Sequence, residues 1–99
     1  MNKLIKTYLG FSIKSRAVVI GQDRLKACND KVHLIICCST ASSNLNDLAS
    51  RLADKFKCRF IVLDEKLEDY SSISGCKVLG LTNQSLADAI IKVVDELNN

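Results

Sequence analysis

The chain predicts an α/β protein, a three-layer α-β-α sandwich with a four-stranded mixed sheet between helices, and three observations carry that reading. Ser43 to Lys57 and about Gln84 to Leu97 repeat apolar residues at the spacing of one helix face. "VHLIICC" (32–38) and "CRFIVL" (58–63) are short, continuous apolar runs rich in branched side chains, the pattern of strands covered on both faces. The two kinds of segment alternate along the chain, which is the rhythm of helices layered on a sheet.

Taken in order, an N-terminal helix runs through Leu4, Ile5, Tyr8, Leu9 and Ile13, followed by a brief strand at Ala17 to Ile20. A short helix spans Gly21 to about Cys28, and the strand Val32 to Cys38 comes next. The Ser43 to Lys57 helix places Leu45, Leu48, Ala49, Leu52, Ala53 and Phe56 on one buried stripe. After the strand Cys58 to Leu63 comes the acidic stretch "DEKLEDY", with Asp64, Glu65, Glu68 and Asp69, best read as a solvated turn of helix rather than as paired catalytic carboxylates. A last strand, Val78 to Leu81, leads into the final helix, whose inner face is Leu86, Ile90, Val93, Val94 and Leu97, with Asn83 or Thr82 placed to cap its exposed amides.

Ninety-nine residues form one domain, too short for a catalytic domain plus a separate binding domain. With 47% hydrophobic and 25% charged residues and no proline, the composition is that of a folded domain rather than a disordered tail. The longest apolar run falls far short of a bilayer span, and "MNKLIKTYLG" lacks a signal peptide's apolar stretch, so the expected location is the cytoplasm, with no membrane involvement. Charge is uneven: residues 1–33 carry seven Lys/Arg against two Asp, whereas residues 34–99 carry seven against nine acids. That asymmetry predicts one surface that meets an anion.

The five cysteines (Cys28, Cys37, Cys38, Cys58, Cys76) have no CxxC spacing, so neither a disulfide framework nor a zinc site is expected, and they read as reduced, packed thiols. His33, the one histidine, supports neither a triad nor a metal cluster. No Walker-type GK[ST] and no Ser-His pair is present, so no enzymatic activity, cofactor or metal is expected. Tyr70 and Phe11 are candidates for stacking on bases, but five aromatics in all are too few for a stacking platform.

The densest polar stretch is "RAVVIGQDRLK" (16–26). Gly21 lets backbone approach an anionic partner at the start of a helix, Gln22 offers donor and acceptor, and Asp23 accepts from amino groups. Arg16, Arg24 and Lys26 suit phosphate oxygens or guanine O6/N7. A blander reading of the same residues has Asp23 capping the helix and the basic side chains merely solvating its outer face.

"YLGFSIKSRAVVIGQD" resembles the opening of the kink-turn RNA-binding ribosomal protein superfamily, the family of large-subunit ribosomal proteins seven-Ae and thirty-e, and is most similar to its short bacterial YlxQ-like members. Leu9-Gly10-Phe11, Arg16-Ala17 and Gly21-Gln22-Asp23 stand where those members carry an LGLA-x-RAGK-x-x-x-GE-type segment. "HLIICCSTASSN" and "CKVLGLTNQSLADAI" continue the likeness over nearly the whole chain. The resemblance implies recognition of a sharply bent RNA with tandem G·A pairs. Carried over by position, Gly21, Gln22, Asp23 and Lys26 are its reading residues, with Lys14, Arg16 and Arg24 beside them, and Ser72, Ile73, Ser74 and Gly75 form a loop that packs on flipped-out nucleotides. Gln22-Asp23 replaces the usual Asn-Glu, and Ser39-Thr40 stands where an acidic pair is common. The implied partner is structured RNA, ribosomal RNA and the ribosome among the candidates, bound by a monomer. The alternative from a different class is a protein–protein adaptor on the same fold without RNA specificity.

Overall fold

Over residues 3–63 the polypeptide alternates helix and strand as its apolar periodicity predicts, and residues 77–97 add a strand and a helix. The computed structural model describes residues 3–63 and 77–97. Among these residues the order is α1 (Lys3–Lys14), β1 (Val18–Ile20), α2 (Gln22–Ala27), β2 (Leu34–Cys38), α3 (Ser43–Phe56), β3 (Arg59–Leu63), β4 (Val78–Leu81) and α4 (Gln84–Leu97). The acidic stretch 64–70 and Cys76 lie outside the described residues.

The four strands form one mixed sheet in the order β1-β4-β2-β3. β2 and β3 run parallel with Leu34 opposite Arg59 and Cys38 opposite Leu63, while β4 is antiparallel to both of its neighbours, β1 and β2. The twofold alternation of strand side chains divides the core into two halves. Leu34, Ile36, Cys38, Ile61, Leu63, Leu79 and Leu81 meet Ile5 and Leu9 of α1 and Ala87, Ile90 and Val93 of α4 on one face. Ile35, Cys37 and Val78 meet Leu25 of α2 and Ala49, Leu52 and Ala53 of α3 on the other. The predicted three-layer sandwich is therefore the observed one.

Strand lengths and burial differ from expectation in physically clear ways. β2 begins at Leu34 rather than Val32, although Val32 is buried and the His33 amide already donates to the Leu81 carbonyl at 2.8 Å. β2 is buried at every position, but β3 is an edge strand, so its Arg59 is exposed and Val62 is 47% exposed, contrary to the expectation of cover on both faces. Both runs are apolar; only their places in the sheet distinguish them. Leu97 was expected on the inner face of its helix, yet it is exposed, because it lies in the outermost turn, where little of the neighbouring layer reaches it.

Helix ends follow capping chemistry. Ser42 accepts the Leu45 amide through its hydroxyl at 3.2 Å, and Asn83 Oδ1 accepts the Leu86 amide at 3.0 Å, which settles the cap of α4 on Asn83, while the Thr82 amide donates to the Ala17 carbonyl. α1 and α3 both end on residues in the left-handed region, Arg16 at φ 59° and Lys57 at φ 56°. After α1, the Arg16 amide donates to Ile13 and the Ala17 amide to Ser12; after α3, the Lys57 amide donates to Asp54 and the Cys58 amide to Ala53. Each is the paired bonding of a Schellman ending, a place where glycine is the usual residue.

Candidate nucleic-acid interface

The antiparallel register brings several chain segments to one end of the sheet. β1 ends there in Gly21, whose amide donates to the Val78 carbonyl at 3.0 Å. β4 begins there, with the Lys77 carbonyl accepting the Cys38 amide at 2.9 Å, and β2 ends there, with the Ser39 amide donating to the Leu63 carbonyl at 2.8 Å. Gly21 and Gln22, Lys77, and the exposed Ser39 and Thr40 thus share this end, across which the strands lie about 4.8 Å apart. Thr40 is fastened to it by a 3.1 Å contact between its Oγ1 and Cys38 Sγ.

α2 starts at this end. Gly21 precedes its first turn at φ 94°, a conformation that a residue with a Cβ adopts only under strain, so glycine is required by the backbone. No side chain caps the helix by a hydrogen bond, which corrects the reading of Asp23 as its cap: Asp23 lies inside the first turn and is exposed. Of the six residues of α2 Leu25 alone is buried; Gln22, Asp23, Arg24 and Lys26 are exposed. At the far end of α2 the Lys55 ammonium donates to the Lys26 carbonyl at 3.1 Å, satisfying an acceptor that the helix end leaves open.

The predicted site residues divide into three groups. Gly21, Gln22, Asp23, Arg24 and Lys26 are contiguous on α2 and its approach. Lys14 and Arg16 belong to the last turn of α1 and its Schellman ending, and β1 separates them from Gly21, so the structure sets them at the opposite end of that strand. Ser72, Ile73, Ser74 and Gly75 lie outside the described residues. Lys77, half-buried, was not singled out in the sequence; its position directly before the last apolar run was the available signal.

The thiols are set apart from this surface chemically. Cys37 and Cys38 are buried, as expected, whereas Cys28 and Cys58 are only half-buried at the margin of the α2/α3 core. Burial, reinforced by neighbouring Cys38, pushes the Cys37 thiol up to about 11, and burial also raises Cys58. Neither has the lowered pKa of a reactive thiolate. Among the described residues no group of three or more His, Cys, Asp and Glu could hold a metal ion, and no helix is long and apolar enough to cross a membrane.

No protein-family model and no curated protein matches the chain. Its fold does match solved structures. A protein of unknown function from Bacillus halodurans superposes with a TM-score of 0.81 at 18% identity, over 92% of this chain and 96% of that one. A Giardia lamblia protein described as a 15.5kD RNA binding protein superposes with a TM-score of 0.70 at 14% identity, over 99% of this chain and 90% of the other. At these identities the likeness establishes the shared fold.

Proposed function

We propose that this chain is an RNA-binding protein that recognises a kink-turn or similarly bent structured RNA, works in association with translation or the ribosome, and carries out no catalysis. The observation that carries the reading is the composition of α2: four of its six residues are exposed and polar or charged, and they follow a glycine that turns the chain from β1 into the helix at a sheet end. A regular A-form helix hides its base edges in a deep, narrow major groove, and a kink opens that groove to side chains of this kind. Gln22 and Asp23 are suited to base edges, while Arg24 and Lys26 are suited to phosphate or guanine. The Giardia protein of the same fold is described as RNA binding, which supports the same class of partner here.

The test is a titration of the protein against a kink-turn RNA, the same RNA with its G·A pairs replaced by Watson–Crick pairs, and a straight duplex of equal length. Tightest binding to the first is expected. Equal binding to all three would reduce the reading to a basic RNA-binding face, and no binding to any would favour the protein–protein adaptor.

A further inference from the structure

β4 carries Gly80 within a strand whose other residues, Val78, Leu79 and Leu81, are apolar and buried. A glycine there forgoes a packed side chain and weakens the strand, so it marks a place where something approaches the backbone. Gly80 does not occupy the left-handed region, so the requirement is one of space and not of backbone conformation. A Cβ at this position would stand 2.8 Å from Leu25 Cδ2 and 2.9 Å from Val32 Cγ1. Carbon atoms in contact settle at about 3.5–4.0 Å, so both approaches would be short by roughly 1 Å.

Neither neighbour can yield freely. Leu25 is 0% exposed and Val32 is 1% exposed, and valine, branched at Cβ, has little rotamer freedom. Leu25 is also the sole buried side chain of α2, so its rest on the bare backbone of β4 sets how α2 lies on the sheet. The amide of Gly21 is held separately by the Val78 carbonyl. An added methyl therefore has to lift or tilt α2 about that attachment.

The geometry points to Gly80 as a positioning residue for RNA recognition: by carrying no Cβ it lets Leu25 and Val32 sit directly on β4, and so fixes where Gln22, Asp23 and Lys26 stand against the RNA. This inference rests on the RNA-reading role proposed for α2. A recognition surface has to be held to within about 0.5 Å of its productive geometry, and the shift forced by a Cβ exceeds that. Gly80 itself is buried and acts only through these two side chains.

The experiment uses the full chain as wild type, Gly80→Ala, Leu25→Val, which removes the δ-carbon facing Gly80, and the double variant. Each is titrated against the kink-turn RNA and the straight duplex, with native-state amide exchange followed at Gly21 and Leu25, whose amides donate to the Val78 and Gly21 carbonyls. Gly80→Ala is expected to lose at least tenfold of its preference for the kinked RNA while duplex binding stays within twofold, with faster exchange at Gly21 and Leu25. The double variant should recover most of the preference and the slower exchange, which a merely structural defect would not do. If Gly80→Ala does not fold, Leu25→Val carries the test, with a partial loss of preference expected from the loosened seat of α2.

Wild-type preference with unchanged exchange in Gly80→Ala would overturn the inference, as would a double variant no better than Gly80→Ala. A wild type without preference among the RNAs would overturn the proposed function instead. The exchange measurements and their recovery in the double variant then decide the positioning role on their own.

Discussion

Arg59 Nη1 donates to Asp95 Oδ2 at 3.0 Å while Nη2 donates to Oδ1, a two-pronged pair that ties the edge strand β3 to α4 across the layer boundary. Both side chains are nearly half exposed, so the pair is screened by water and salt. It is placed to brace a strand that, among the described residues, has a sheet neighbour on one side only.

Acid should release this brace. The hydrogen bonds from Arg59, with its charge adding to them, hold the Asp95 carboxyl below the usual range. A carboxyl depressed in the folded state contributes stability in full above its unfolded value of about 3.9, and that contribution is lost as pH falls through the lower folded value. Wild type should therefore melt higher than Asp95→Asn at pH 7, and the two curves should converge as pH falls through that lowered value. High salt should narrow the gap. Identical melting at neutral pH would mean that the pair, like many exposed pairs, contributes nothing measurable.

Glycine should stabilise the two left-handed helix endings. Arg16→Gly and Lys57→Gly relieve a Cβ clash worth about 1–2 kcal/mol, partly offset by the larger freedom of glycine in the unfolded chain. A net gain of about 0.5–1 kcal/mol each, or roughly 2–8 °C in Tm, is expected for a domain of this size. Thermal melting of the single variants measures it, with Arg51→Gly as the control inside α3 that should lose stability, by about 1 kcal/mol.

Two helix caps make a matched pair. Ser42→Ala and Asn83→Ala each leave a first-turn amide of α3 or α4 without its side-chain acceptor. Each should cost about 1 kcal/mol, read as a lower urea midpoint with an unchanged slope.

Native thiol labelling should follow burial. Cys28 and Cys58, half-buried, should react with an aromatic disulfide reagent well before Cys37 and Cys38. With its pKa at about 11, Cys37 holds almost no thiolate at neutral pH and should label at the rate of protein opening. Rapid, reversible formation of a disulfide between Cys37 and Cys38 would contradict the packing role assigned to both.

RNA binding should separate reading from simple charge. Gln22→Ala and Lys26→Ala should each cost about 1–3 kcal/mol of discrimination between kinked and straight RNA, whereas Lys3→Ala, on α1, should cost no more than a phosphate contact. Ile73→Asp should remove the preference while leaving the fold intact. With about three or four phosphates neutralised, the log–log salt slope should be roughly −2 to −4; a flat dependence would point to a neutral partner.

Much of the candidate site was legible in the chain, because Gly21, Gln22, Asp23, Arg24 and Lys26 are neighbours in sequence and stay neighbours on one helix. Lys14 and Arg16 are close to them in sequence too, yet β1 carries the chain from one end of the sheet to the other between the two groups. Lys77 shows the reverse: distant in sequence, it reaches the α2 end through the pairing of β4 with β1. Asp23 looked like a cap by residue type, but the backbone places Gly21 at that position.

The sequence by itself determined the kind and order of the described elements, the inner face of α3 and, short of Leu97, that of α4, because a period of 3.6 or 2 is a property of local backbone geometry. Ser43 to Phe56 could bury one stripe only, and that stripe is the one found, with Ala49, Leu52 and Ala53 at its centre. Tertiary structure alone decided that β3 and not β2 lies at an edge, and so that Val62 is exposed while every residue of β2 is buried. It also decided that Gly80 lies beneath Leu25, from a strand and a helix more than fifty residues apart. Strand order and such contacts follow from the free energy of non-local pairing and packing, to which a run of branched apolar residues contributes equally at an edge or in the centre until its neighbours are in place.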